Sequence, residues 1–405
     1  MHNIEIIKQS EAACASIFQQ IEETALYNQQ KVLQAFSKNR ISASHFMPST
    51  GYGYDDRARD TLNTLFADIF GAEDAIVSPL IANGTHAISL TLFGILRPGD
   101  TMLSVSGKLY DTLDEVINGK NIGSLRDFGI NFDKIDYKFG DYDESAIENY
   151  LQHNQPKVVF MQRSKGYEWQ NSITLTKMQR ILSIIKSLSP NSIVIVDNCY
   201  GEFCEKIEPT QIGADIAVGS LIKNPGGGIA PTGGYIVGKS QYIDLVARRL
   251  TAPSLGKEVG SYNTSYQPFY QGLFLAPSTV KNALKGCALA SHVFRKLNFE
   301  TLPATNEVPQ DIICAIKFNN KEQLIKFCQA VQRIAPIDSF ATPEPWAMPG
   351  YTHDVIMSAG TFVQGGSLEL TADAPIKEPY IGYLQGGLTH EHIVLAISEI
   401  ISVLV

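Results

Sequence analysis

The chain has 405 residues, 44% of them hydrophobic and 18% charged, and a net charge of −8. This is globular composition with length for two or three domains around a large core, and the lack of any basic run argues against a nucleic-acid partner. No apolar run reaches membrane-spanning length, and the first residues carry no basic region leading into a long apolar core, so neither a membrane segment nor a signal peptide is expected.

Residues 1–50 are expected to form a helical arm. Ile17, Ile21, Leu26, Leu33 and Phe36 make an interrupted apolar stripe suited to packing on a neighbour. A turn-rich segment, "MPSTGYGYDDRARD" (47–60), leads into an amphipathic helix through Phe70. Strand-like and helix-like runs then alternate: "DAIVSP" (74–79), "HAISLTLFGIL" (86–96), "DTMLSVS" (100–106) and "DTLDEVI" (111–117). They continue with "KVVFMQ" (157–162), "TKMQRILSIIKSLS" (176–189), "SIVIVDN" (192–198) and "DIAVGSLI" (215–222). Strands apolar throughout and separated by helices indicate a mostly parallel α/β sheet with helices on both faces. Past about residue 280 the texture changes, and "DIICAIKF", "KEQLIKFCQAVQRI" and "GTFVQGGSLELTAD" read as a smaller α+β unit. The expected division is therefore an arm at 1–50, a large ligand-binding domain at 51–280 and a small domain at 281–405. Six cysteines, Cys14, Cys199, Cys204, Cys287, Cys314 and Cys328, are scattered without a CxxC pair, as expected for reduced core residues of a cytoplasmic protein.

Ligands of open α/β sheets bind at the carboxyl ends of the strands, so the groups placed there carry the functional signal. "GSLIKNPGGG" sets Lys223 between a buried strand and three glycines that let backbone or ligand approach closely. Asp197 closes "SIVIVDN" 26 residues earlier (223 − 197), about one strand–helix–strand excursion, so both can reach one sheet edge. Gly84 and Thr85 open a helix and offer backbone N–H groups and a hydroxyl to an anion. Ser220 lies beside the lysine, and Tyr110 follows a strand with a flat aromatic face. Together these groups supply what pyridoxal 5′-phosphate requires: an amine for the imine, a carboxylate for the pyridinium nitrogen, an anion cradle and a stacking surface.

The longer motifs point the same way. "GYGYDDRARDTL", "SGKLYDTLDEVIN", "QRSKGYEW", "VDNCYGEF", "GSLIKNPGGGIAPTGGYIVG" and "YIGYLQGGLTHEH" span residues 51 to 392. With them the sequence resembles the fold-type I pyridoxal-phosphate enzymes, and within these the methionine gamma-lyase-like or aluminium-resistance proteins. The resemblance implies the fold-type I transferase fold, an internal aldimine on Lys223, and a homotetramer built from dimers that complete each other's sites. It also implies kinship with cystathionine lyases, which cleave carbon–sulfur bonds of amino acids. Two positions depart from the family pattern: Lys377, in "ADAPIKEPY", stands where the family has arginine, and Ala58 where it has glycine.

The expected activity is β- or γ-elimination from a sulfur amino acid, with Lys223 moving protons, Asp197 protonating the ring and Tyr110 stacking or acting as an acid. Arg163 follows the strand "KVVFMQ" and is a candidate for the substrate carboxylate or for a neighbouring acid. Lys377 is a second candidate, without the planar fork of arginine. Tyr54 and Arg59 are expected to bind phosphate across a dimer interface, with a structural salt bridge as the other role for Arg59. The "YGYDD" turn also resembles threonine aldolases, which leaves retro-aldol cleavage as the alternative, with His86 as base or as packing over the ring. A protein that holds the cofactor with little turnover is the remaining alternative. No metal site is expected, because His390 and His392 stand two apart and do not share a helix face.

Overall fold

The computed structural model describes residues 2–138, 140–348 and 351–404. Two helices open the chain, α1 (His2–Ala13) and α2 (Ala15–Lys38), followed by α3 (Arg57–Phe70). Asp56 caps α3 by accepting from the N–H groups of Ala58 and Arg59, and Gly71, in the left-handed region, stops it.

The large sheet contains β1 (Asp74–Ser78), β2 (Thr101–Ser104), β3 (Asn131–Lys134), β4 (Val158–Gln162), β5 (Ile193–Asp197), β6 (Ile216–Ser220) and β7 (Gly234–Gly238). Their spatial order is β1-β7-β6-β5-β4-β2-β3. Every pair from β3 to β6 is parallel, and β7 alone runs antiparallel to its two neighbours. Helices α4 (Gly84–Ile95), α5 (Asp111–Asn118), α6 (Glu144–His153), α7 (Leu175–Leu188) and α8 (Ser240–Leu250) connect the strands.

The strands are apolar throughout because both faces are covered. Along β5, Ile193 and Ile195 join the cluster built with Ile88, Leu92 and Val246 of α4 and α8. Val194 and Val196 point the other way, into the cluster of Ile147 and Ile181 from α6 and α7. Each such fully buried side chain contributes roughly 1.5–3 kcal/mol. The elements read from the sequence thus recur within a residue or two, as an α/β sheet with helices on both faces. Strand β3 escaped the sequence reading: its "NFDK" is a largely exposed edge with no apolar run to betray it. The connection from β5 to β6 also differs, being turns and one short 3₁₀ turn (Pro209–Ile212) rather than an α-helix.

Beyond the sheet runs α9 (Gln267–Lys296), a helix of 30 residues that crosses residue 280 without a break. A second, antiparallel sheet follows, ordered β10-β11-β12-β9-β8, from β8 (Glu300–Leu302), β9 (Ile313–Lys317), β10 (Val355–Ser358), β11 (Thr371–Pro375) and β12 (Ile381–Gln385). Helices α10 (Lys321–Arg333) and α11 (His390–Leu404) cover it. The arm stripe divides in two. Ile17 and Ile21 are buried in the core that α9 shares, whereas Leu26 and Leu33 stay exposed. The six cysteines are free and buried, and among the described residues no helix is long and apolar enough to cross a membrane.

Candidate active site

Parallel register brings the ends of β4 and β5 level, Gln162 pairing with Asp197, and Asp197 pairs with Val218, two residues short of the end of β6. A cleft of about 340 Å³ opens at this edge, with residues of the second sheet forming its opposite wall. Lys223, Asp197, Tyr110, Gly84, Thr85, Ser220 and Lys377 all line it.

Lys223 is partly exposed and leaves β6 just before the 3₁₀ turn Asn224–Gly226. Its Nζ stands 3.9 Å from the centre of the Tyr200 ring. Burial disfavours the charged amine, but Tyr200, Cys199 and Asp197 outweigh it, and the net displacement is upward. The glycines after it are dictated by contact: a Cβ at Gly226 would lie 1.7 Å from the Leu221 carbonyl oxygen, and one at Gly272 of α9 would lie 2.2 Å from the Gly226 carbonyl oxygen. Helix α9 therefore presses directly on the backbone that presents the lysine.

Asp197 is 3% exposed, and its Oδ1 accepts the Cys199 N–H at 3.1 Å. Among the described residues it has no ion-pair partner, and burial pushes its pKa up against the pull of Lys223. A carboxylate in this condition is complementary to a cationic ring nitrogen. On the other side, Asn83 caps α4 by accepting the His86 N–H at 2.8 Å, leaving the helix N-terminus facing the cleft at Gly84 and Thr85. A Cβ at Gly84 would sit 3.2 Å from Cys199 Sγ and 3.5 Å from Ser220 Cβ, so glycine keeps this cradle open. Thr85 Oγ1 lies 3.3 Å from the Tyr110 hydroxyl. Burial, and then Asp197, push the Tyr110 pKa well up, so the hydroxyl keeps its proton. These residues fit pyridoxal phosphate: an amine, a carboxylate with no ion-pair partner among the described residues, a helix N-terminus with hydroxyls, and a flat ring.

The lysines are not equivalent. Lys165 also lines the cleft, but its Nζ donates to Asp311 Oδ1 and to the Ile313 carbonyl oxygen, both at 2.8 Å. Lys108 is largely exposed, 3.3 Å from Asp111.

The substrate-carboxylate role of Arg163 needs correction, and the other candidates lie elsewhere in this chain. Arg163 does not reach the cleft. Its guanidinium, itself fully buried, donates to Asn198 Oδ1 at 3.0 Å, the Gly201 carbonyl at 2.9 Å and Glu205 Oε1 at 2.8 Å, the neighbouring-acid role. His86 is likewise outside it, its Nδ1 accepting the Ala82 N–H at 3.0 Å, so it is not placed to act as a base there. Arg59 is 5% exposed and engaged by Asp60 and by the Gly53 carbonyl at 2.8 Å. Tyr54 is exposed and stacks on Tyr52, also away from this cleft. His390 bonds Glu11 and His392 bonds the Ile334 carbonyl, each at 2.8 Å.

The sequence reading missed Tyr200, although it sits inside the quoted "VDNCYGEF". Its φ of 71° is a costly conformation for a non-glycine residue and commonly marks functional segments. Asp373, Tyr383 and Gln385 were also missed; they come from β11 and β12 and carry no local motif.

The methionine gamma-lyase family profile matches residues 3–405. The chain belongs to the methionine gamma-lyase family. It is 45% identical to a proposed cystathionine beta-lyase involved in aluminum resistance from Clostridium acetobutylicum, whose solved structure superposes with a TM-score of 0.97, covering 100% of this chain and 96% of that one. The uncharacterized Bacillus subtilis protein YnbB is 48% identical over 391 residues, 96% of this chain and 93% of its own. A pyridoxal-5′-phosphate-dependent protein from Escherichia coli, YhfS, is only 17% identical but shares the fold, with a TM-score of 0.65 over 94% of this chain and 97% of its own. The architecture is that of fold-type I, and family and fold together imply pyridoxal phosphate as the group this cleft takes.

Proposed function

We propose that this protein is a pyridoxal-phosphate-dependent lyase that breaks a carbon–sulfur bond of a sulfur amino acid by β- or γ-elimination. The observation that carries the reading is the meeting of Lys223, Asp197 and the α4 N-terminus in one cleft at the strand ends. When bound there, pyridoxal phosphate supplies an aldehyde for the substrate amine and a ring that takes up electrons released at Cα.

The chain's own groups do the rest. Asp197 holds a proton on the ring nitrogen, since a buried carboxylate with no ion-pair partner among the described residues favours a cation beside it. Lys223 accepts the Cα proton and returns it where the departing group leaves. Tyr110, kept protonated, covers the ring and can donate to the leaving sulfur. The first-turn amides of α4, with Thr85 and Ser220, hold the phosphate. Lys377 meets the substrate carboxylate as a point charge. The products are a thiol, a keto acid and ammonia, with water consumed. Sites shared between subunits of a homotetramer belong to the same reading: the exposed Tyr52–Tyr54 pair offers an aromatic surface to a neighbour, and sedimentation as a monomer would remove this part of it.

The test offers cystathionine, methionine, cysteine and threonine separately to the loaded protein. Keto acid with ammonia from any sulfur amino acid is expected. Acetaldehyde and glycine from threonine would establish the retro-aldol reaction instead, and silence from all four would leave a protein that holds the cofactor without this turnover.

A further inference from the structure

Tyr200 lines the cleft and has no task in the elimination. It is also costly to place. Its φ of 71° is strained for a side chain of this size, and the bonds around it hold it there. Arg163 donates to the Gly201 carbonyl and the Gly201 N–H donates to the Asn198 carbonyl, both at 2.9 Å. Cys204 Sγ donates to the carbonyl of Tyr200 itself at 3.3 Å. The other end of the side chain is held from the second sheet: the phenol oxygen and Ser367 Oγ lie 3.2 Å apart. Ser367 belongs to the turn between β10 and β11, which Glu369, 3% exposed, shapes by accepting the N–H groups of Phe362 and Val363 at 2.9 and 2.8 Å. The same turn reaches the residue before the lysine, since a Cβ at Gly365 would stand 3.5 Å from Ile222 Cδ1.

The ring so fixed faces Lys223, whose Nζ lies 3.9 Å from its centre. Lys165 and Lys108 of the same cleft each have a carboxylate partner; among the described residues Lys223 has none within ion-pair distance. The titratable groups that face it at longer range are Asp197, Cys199 and Glu202, on either side of Tyr200 in the chain, Tyr110 before α5 and Asp373 on β11. A tyrosine face attracts an ammonium far more than a neutral amine, so the ring tells the two forms of this lysine apart. Without it, the flexible four-carbon stem would leave the amine free to swing.

We propose that the Tyr200 ring, fixed at its hydroxyl by Ser367, is the seat on which the free Lys223 amine docks in its charged form. Tyr200 is then a positioning residue. It holds the amine in one orientation beside Asp197 and makes proton loss the condition for the amine to leave and meet a carbonyl. The consequence for the cofactor rests on the reading of Lys223 as its anchor; the docking does not.

The experiment titrates the cofactor-free protein, isotopically labelled at the lysine Cε carbons, and follows it by NMR. The Lys223 signal is the one missing from Lys223→Arg. In the parent the Lys223 Hε protons are expected upfield of those of the other lysines, because they lie over an aromatic face. Tyr200→Leu should remove that displacement and lower the Lys223 titration midpoint by about one pH unit, a tenfold loss of proton affinity. Tyr200→Phe, which keeps the ring, should retain both signatures. At a fixed pH below both midpoints, added pyridoxal phosphate should develop its visible band about fivefold or more faster in Tyr200→Leu than in the parent, because more of the amine is neutral. An undisplaced Lys223 signal in the parent, or an unchanged midpoint in Tyr200→Leu, would overturn the proposal. Loss of both signatures in Tyr200→Phe would assign the contact to the hydroxyl and overturn it as well. The docking signatures without turnover of any sulfur amino acid by the loaded parent would overturn the lyase reading alone.

Discussion

Gly272→Ala should destabilise the protein, against the sign that helix chemistry gives. In an exposed helix the change from glycine to alanine gains about 1 kcal/mol. Here the new Cβ would stand 2.2 Å from the Gly226 carbonyl oxygen and 2.8 Å from its carbonyl carbon. Ordinary contact begins near 3.4 Å, so α9 or the glycine loop has to move by about 1 Å, and both are backbone. Overpacking of this kind costs about 1–3 kcal/mol. Because no flexible side chain can yield, the upper end applies, and the net loss is about 2 kcal/mol. The same helix supplies its own control. A Cβ at Gly286 meets the Ile393 side chain at 2.6 Å, which can rotate, so Gly286→Ala should be milder. Thermal unfolding of both variants gives the comparison. The visible absorbance of added pyridoxal phosphate reports whether Lys223, three residues before Gly226, has been displaced. A Gly272→Ala protein about 1 kcal/mol more stable than the parent, with cofactor uptake intact, would refute the reasoning.

Borohydride reduction of the loaded protein should fix the cofactor on the peptide holding Lys223, and Lys223→Ala should lose the visible band; a band that persists would move the assignment to another lysine. Asp197→Asn should lower turnover at least about a hundredfold, as loss of one preorganised electrostatic contact commonly does, with cofactor content falling less; unchanged turnover would make the carboxylate structural. Burial raises the Asp373 pKa to about 6, against Gln385, Tyr167 and Lys223, so the folded protein keeps a proton that the unfolded chain gives up near 4. Stability from this group is full below pH 4 and lost as pH rises to 6, by about 3 kcal/mol, so Asp373→Asn should gain on the parent over that interval and a constant difference would refute the shift.

Strands β1, β2, β4, β5 and β6 were legible because burial on both faces writes continuous apolar runs, as in β5, and helix periodicity survives in α7. Lys223, Asp197, Gly84 and Thr85 were legible too, because each closes a strand or opens a helix where the sequence itself marks the boundary. Arg163 misled for the same reason. It does follow a strand end, but its long side chain turns back to Glu205 and Asn198, and strand position alone cannot give that direction. The opposite wall was out of reach for another reason. Asp373 and Gln385 meet only because β11 and β12 pair in one register, and that register depends on contacts spread over the whole second sheet. Tyr200 was hidden by a backbone conformation that composition does not encode.

The buried pair between Lys165 and Asp311 bears on traffic rather than chemistry. Lys165 follows β4 of the first sheet, and Asp311 precedes β9 of the second; their side chains are 2% and 1% exposed, and Ser172 adds a further bond to the same carboxylate. The pair therefore ties the two walls of the cleft to each other, and parting the sheets would have to break it. Substrate and product then have another route, the rim where exposed Lys108, Thr352 and His353 surround the mouth. A bulky residue grafted at that rim would throttle exchange while leaving every reacting group where it is.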